Sequence, residues 1–194
     1  TQKVGPSIAD DIKIAAFWAV LFSLIAIALY ILLRFRDISF SVGTLVALAF
    51  DTVIIIGFYS IFYGILPFSM EIDQSFIAAI LTVIGYSVND KVVVFDRVRE
   101  VANIYPKRDK FIVINDALNS TLSRTISTSL STAIVLICIF VLGGDTIRSF
   151  TFAMLLGVII GTLSTLFMAV PIAYELQSRK QKKEQAQEAA SLKK

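Results

Sequence analysis

Residues 75–95, SFIAAILTVIGYSVNDKVVVF, decide the fold: an apolar run as long as a bilayer is thick carries Asn89, Asp90 and Lys91 within it. A helical span needs about 20 mostly apolar residues, because the hydrocarbon core is about 30 Å thick and a helix rises about 1.5 Å per residue. Further runs of this kind flank it over 14–33, 42–63, 122–142 and 150–174. They account for a chain that is 56% hydrophobic with a mean hydropathy of +0.77, where a soluble domain has roughly 45–50% apolar residues. The fold expected is all-α, a polytopic transmembrane helix bundle with five visible spans and little chain left for a soluble core.

Charge distribution sets the expected orientation. Of 18 Lys and Arg residues, 13 fall on one side of the spans. These are Arg34 and Arg36, then Arg97, Arg99, Lys107, Arg108 and Lys110, then the six between Arg179 and Lys194. The other side holds Lys3, Lys13 and Arg148, while Lys91 and Arg124 lie inside apolar runs. Cytoplasmic segments carry the excess of Lys and Arg, so the first side is expected in the cytoplasm. The net charge of +3 needs no nucleic-acid partner to explain it. An odd number of spans with a cytoplasmic C-terminus puts the N-terminus outside. The chain starts with Thr1, and nothing before Ile14 has a signal peptide's layout. It is expected to continue a longer chain with at least one earlier span, Val4-Gly5-Pro6 being the join into the first visible helix.

Residue usage excludes several chemistries. Cys138 is the single cysteine and there is no histidine, which rules out an internal disulfide, a Cys/His metal site and a Ser/His/Asp triad. No Gly-x-x-x-x-Gly-Lys-Ser/Thr phosphate loop occurs, so nothing reads as a nucleotide-driven motor. Proton chemistry within the chain falls to carboxylates. These residues call for no enzyme chemistry and no cofactor.

The informative carboxylates and cations are those in the spans. A central Asp, Lys or Arg costs about 2.5–3.5 kcal/mol on insertion scales, so such groups face the bundle interior, pair, and mark ion paths. Asp90 and Arg124 lie toward the cytoplasmic ends of antiparallel spans, both within roughly 10 Å of that end, and can pair if the helices are neighbours. The bland alternative is hydration for Asp90 and snorkelling for Arg124 and Lys91. Asp51, near mid-span, reads either as a proton relay or as a hydrogen bond to a neighbour such as the Ser/Thr-rich fourth span. Ser120, Ser127, Thr128, Ser131 and Cys138 share one helical face with Arg124. That face is either hydrogen-bonding glue between helices or the lining of a hydrated path.

Other features are structural in reading. Gly157 and Gly161 form a Gly-x-x-x-Gly pattern suited to close helix contact, and Gly85 permits a close backbone approach near Asn89 and Asp90. Pro171 is expected to bend or end the last span. Residues 106–120 mix Lys107, Arg108 and Lys110 with Phe111, Ile112, Ile114 and Leu118 and predict an interfacial helix on the cytoplasmic leaflet. Residues 177–194 predict a basic, solvated cytoplasmic tail.

Three ordered motifs carry a family resemblance. Residues 84–100, IGYSVNDKVVVFDRVRE, resemble the SecF signature of the SecD/SecF family, which normally reads much like IGYSLNDTVVVFDRIRE. Residues 119–129, NSTLSRTISTS, resemble that family's next-span motif, and residues 3–13, KVGPSIADDIK, resemble the segment after its exported domain. The likeness covers residues 4–176. Gly85, Tyr86, Ser87, Asn89, Asp90, Asp96 and Arg97 carry the first motif, and Ser123, Arg124, Thr125, Thr128 and Ser129 the second. Lys91 departs from it where a small polar residue is usual; Phe50 stands where a His often precedes Asp51, and Ala9 replaces a Gly.

The resemblance implies a six-span fold of the resistance-nodulation-division (RND) type, five spans being visible, with the first span and a periplasmic domain preceding. It also implies a place in the bacterial inner membrane, with the visible N-terminus periplasmic. The function implied is that of an accessory subunit of the Sec translocase, promoting late steps of protein export with the proton motive force. Protons are the coupling ion, and Asp90, Arg124, Asp51, Asn89 and Thr128 are the candidate path. SecD or a fused SecD half, the SecYEG channel, the exported polypeptide and membrane lipids are the implied partners. Rival readings are an RND-type exporter of lipids or small molecules, and a non-catalytic translocase scaffold.

Overall fold

The computed structural model describes the backbone of residues 6–191 and the side chains from Ile14 onward, apart from a few positions near the C-terminal end and Thr146. The join proposed at Val4-Gly5 lies outside the described residues. Every element among the described residues is helical: α1 (Pro6–Phe35), α2 (Ile38–Phe62), α3 (Gln74–Ile104), α4 (Lys110–Leu142), α5 (Asp145–Ser164) and α6 (Val170–Ser191), the last two joined by a π-helical turn, Thr165–Ala169. Five helical stretches are long and apolar enough to cross a membrane: Ile14–Phe35, Ile38–Phe62, Gln74–Ile104, Lys110–Leu142 and Ile147–Lys183. The chain is a multi-pass membrane protein.

Helix starts follow local chemistry. Asp37, Asp73 and Asp109 each stand just before a helix and accept a first-turn backbone N–H, from Ser39 at 2.9 Å, Phe76 at 2.8 Å and Phe111 at 2.7 Å. Arg36 closes α1 in the left-handed region, φ 54, its N–H bonded to Leu32 O at 2.8 Å, and α2 begins two residues later. The basic ends of α1 and α3 meet, with Arg34 2.9 Å from Asp96. Gln177 of α6 donates to Asp37 at 2.8 Å, which brings the Arg36-Asp37 turn and the root of the tail to that same end.

One expectation changes here and one is narrowed. The separate interfacial helix over 106–120 does not exist as an element: residues 106–109 form a turn, and Lys110 opens a helix running unbroken to Leu142. No helix breaker interrupts 110–142, and continuing a helix keeps every backbone bond that a second start would leave open. Of the two outcomes expected at Pro171, a bend or an end, the span does not end there. Proline cannot donate to Phe167 O, and its ring crowds that carbonyl. The helix widens just before it, Val170 N–H bonding Thr165 O, and then continues to Ser191.

In the packed bundle α3, α4 and α5 pack against one another, and α5 also touches α2. Gly157 and Gly161 face α3, and a Cβ at Gly157 would overlap Val83. Their small surface is what lets the helices approach, as the Gly-x-x-x-Gly spacing leads one to expect. Gly43 allows the same for α2 against the π turn, where a Cβ would come 2.6 Å from Ala169 O. Phe35, Phe40 and Phe95 form an aromatic plug at the basic end, Phe40 and Phe95 packing with their rings tilted by 39° at 4.6 Å between centroids. At the opposite end Phe58, Tyr59, Phe68, Phe76, Phe140 and Phe152 make a second cluster.

Candidate functional site

Asp90 and Lys91 are consecutive on α3, so their side chains leave the helix about 100° apart. One turns toward α4 and the other toward α2, and each heads its own polar seam.

The α2 seam holds an ion pair. Lys91 Nζ lies 3.2 Å from Asp51 Oδ2 and 3.1 Å from Ser164 Oγ, and it also donates to Ser87 Oγ. Ser87 in turn donates to Asp51 Oδ2 at 2.9 Å. Lys91 and Asp51 are 0% and 1% exposed. Of the two readings of Lys91, pairing in the bundle and snorkelling, the structure has the first. Phe95, one turn further along α3, blocks the way to the basic end with Phe35 and Phe40, and three acceptors use all three ammonium hydrogens. The partner expected for Asp51 changes, from the fourth span to α3, because α2 lies against α1, α3, α5 and α6. Ser164 was not foreseen. Its one sequence signal was its phase with Gly157 and Gly161 on a small-residue face.

The α4 seam holds Asp90, which is 3% exposed and whose Oδ2 makes no hydrogen bond within the chain. Ser129 of α4 faces it and shares a hydrogen bond of 2.6 Å with Thr162 of α5. Thr125, one turn from Ser129, is also buried and its hydroxyl is unbonded. Hydroxyls from two helices thus line the space beside one buried carboxylate, an arrangement that can pass a proton and that lipid alone would not favour.

Arg124 is not in an ion pair with Asp90. Arg97 bonds Ser120 at 3.0 Å and Tyr86 bonds Thr132 at 3.2 Å across the α3–α4 contact, a register that sets Asp90 level with residues 127–128. Arg124 stands about one turn away, and on the exposed face of its helix while Thr121, Thr125 and Ser129 face inward. Ser120, Ser123, Ser127, Thr128, Ser131 and Cys138 are exposed as well, and so are Gly85 and Asn89 on α3. Of the motif residues, Ser87, Asp90, Thr125 and Ser129 are brought together in the core. Asp96 and Arg97 lie at the basic end, in ion pairs with Arg34 and Glu100.

Comparison with known proteins agrees with the motifs. The family model described as protein export membrane protein SecD/SecF, C-terminal, matches residues 1–179. The chain is 46% identical over 179 residues to the protein translocase subunit SecF of Rhodothermus marinus, covering 92% of this chain and 58% of that relative. It is 41% identical over 178 residues to the subunit of the same name from Petrotoga mobilis, covering 92% and 57%. The crystal structure of SecDF, a translocon-associated membrane protein from Thermus thermophilus, superposes with a TM-score of 0.80 at 36% identity, over 90% of this chain and 23% of that one. The chain thus spans somewhat over half the length of the curated relatives it matches. Since the match runs through all five spans and both polar seams, the chain belongs to the SecD/SecF family of protein-export membrane proteins.

Proposed function

We propose that this chain is the membrane part of an accessory subunit of the Sec protein translocase, one that uses the proton motive force to promote late steps of export. The observation that carries the reading is Asp90: a carboxylate in the bundle core, without a hydrogen bond on Oδ2 and without a salt bridge, beside the Ser129–Thr162 hydroxyl pair. Asp90 takes a proton from the outer side and releases it to the cytoplasmic side, and the change of charge shifts the bundle between two packings. One charge crossing 100 mV supplies about 2.3 kcal/mol, enough to move a two-state equilibrium but not to rebuild a fold.

Arg124 acts from the outer face of α4 in this reading. A guanidinium exposed at span depth, in a stripe with Ser127, Thr128 and Ser131, calls for cover by protein. A second bundle, SecD or a fused SecD half, is the partner proposed for that face, with SecYEG and the exported polypeptide as further partners. The coupling ion is the proton, and no cofactor takes part. The tail and the 105–109 turn lie in the cytoplasm, the visible N-terminus in the periplasm.

The test is gradient-stimulated completion of export, started by ATP and measured in vesicles that carry the assembled translocase. Asp90→Asn at parental abundance is expected to abolish the stimulation, and Arg124→Lys to weaken it by losing the planar fork. Full stimulation in Asp90→Asn would overturn the reading and favour a scaffold; loss of lipid or small-molecule efflux with intact secretion would favour an exporter.

A further inference from the structure

Two carboxylates and one ammonium share the core of this bundle, and their surroundings differ. Asp51 and Asp90 are the buried carboxylates among the described residues, at 1% and 3% exposure, and Lys91 between them is at 0%. Two negative charges against one positive leave the cluster one charge short of neutral. A single proton, or a cation brought close, removes the excess.

The geometry says where that proton goes. Lys91 is committed to the α2 side, with Nζ bonded to Asp51, Ser87 and Ser164. Protonating Asp51 would strand a fully buried ammonium. Access is closed too: Phe35, Phe40 and Phe95, with Leu48 behind them, seal the seam toward the basic end, and Ile55, Val83 and Ile84 line the core toward the other. Asp90 differs on each count. No salt bridge holds it, Oδ2 is unbonded, and the hydroxyls of Ser129 and Thr162 lead from it along α4 and α5. The cations that act on it are Lys91, turned to α2 on its own helix, and Arg124, about one turn away on the outer face of α4.

We propose that Lys91 reserves Asp51 as a permanent counter-ion, so that Asp90 alone of the two buried carboxylates exchanges the coupling proton and the bundle carries one proton per cycle. This rests on the proton-coupled reading above. The proton adds to a carboxylate oxygen of Asp90 and leaves from the same group, with no other bond made or broken. Asp51, Lys91, Ser87 and Ser164 are positioning residues. They tie α2, α3 and the head of the π turn together, and they keep a second carboxylate from titrating.

The experiment compares Asp51→Asn, Lys91→Met, the double variant and Asp90→Asn in the assembled translocase. Each single change at the pair strands a buried partner and is expected to lower abundance and gradient-stimulated export. The double variant removes both charges together and is expected to recover most of the stimulated export with the parental pH profile. Its folding at parental abundance with export as low as Asp90→Asn would overturn the proposal. A second measurement does not depend on the double variant: infrared difference spectra between acid and neutral pH, read at the high-frequency C=O band of a buried carboxylic acid. The band is expected in the parent and absent in Asp90→Asn. Its survival in Asp90→Asn would mean that Asp51 titrates and would overturn the inference. Normal export by Asp90→Asn would instead remove the underlying functional reading, so the two failures are distinguishable.

Discussion

Gly161 of α5 faces Ser87 of α3 so closely that a Cβ on the glycine would fall 2.7 Å from the serine Oγ. Ser87 has no room to retreat, since its hydroxyl is bonded to both Asp51 and Lys91. The close helix contact and the buried ion pair therefore depend on one missing methyl group. Gly161→Ala is expected to lower stability by about 1–3 kcal/mol through overpacking, measured as thermal loss of folded, monodisperse protein in detergent. Gly57→Ala is the control, because a Cβ there meets nothing within 4 Å. Equal melting of the two variants would refute the role given to Gly161.

Tyr59 ties α2 to α5 at the end away from the basic loops. Its hydroxyl donates to Ser149 O, and it is 1% exposed. Tyr59→Phe keeps the ring contacts with Phe76 and Phe152 and removes the tie to Ser149 O, a helix carbonyl that keeps its intrahelical N–H partner. A stability loss of about 0.5–1.5 kcal/mol is expected for one lost hydrogen bond, by the same melting measurement. No change would show that the tie contributes nothing to stability.

The exposed polar face of α4 predicts where a partner sits. Ser127→Phe and Ser131→Phe are expected to reduce co-purification of SecD while the abundance of this chain holds. Leu29→Phe on α1, at a position 54% exposed, is expected to leave it unchanged. Undiminished recovery of SecD with both serine variants would place the interface on another face.

The orientation proposed above rests on the basic side chains gathered at one end. After replacement of Cys138 by Ser, a membrane-impermeant thiol reagent added to intact cells, with the outer membrane made permeable, is expected to label Asp145→Cys and spare Asp109→Cys. The reverse pattern would invert the topology.

Much of this fold was legible because length and apolarity are one-dimensional properties. The runs over 42–63 and 122–142 lie within α2 and α4 but for one residue, since about 20 apolar residues have no other stable place. Ends were less legible. Asp37 caps α2 five residues before the predicted start of that span, because a cap answers to backbone donors and not to hydropathy. At the site, Asp90 could be singled out by the cost of burying a charge. The partner of Lys91 could not. Spacing tells which residues share a helix face, but not which helix that face meets, and a long aliphatic stem fits snorkelling as well as pairing. The depth match proposed for Asp90 and Arg124 held to about one turn, yet their faces diverge, because a step of one residue from Thr125 to Arg124 turns a side chain out of the core.

The connections have a mechanical consequence. α1 and α2 are joined by the two residues Arg36 and Asp37, and α4 and α5 by Gly143 and Gly144, so the ends of each pair are held close together. α3 is joined at one end by residues 63–73 and at the other by residues 105–109, the longer connections of the described chain. The helix that carries both Asp90 and Lys91 is thus the one least tied by its connections, and it is held in register by side-chain contacts. Displacing α3 along its axis would break the Lys91–Asp51 bond and drive Val83 and Ser87 past the glycine face of α5.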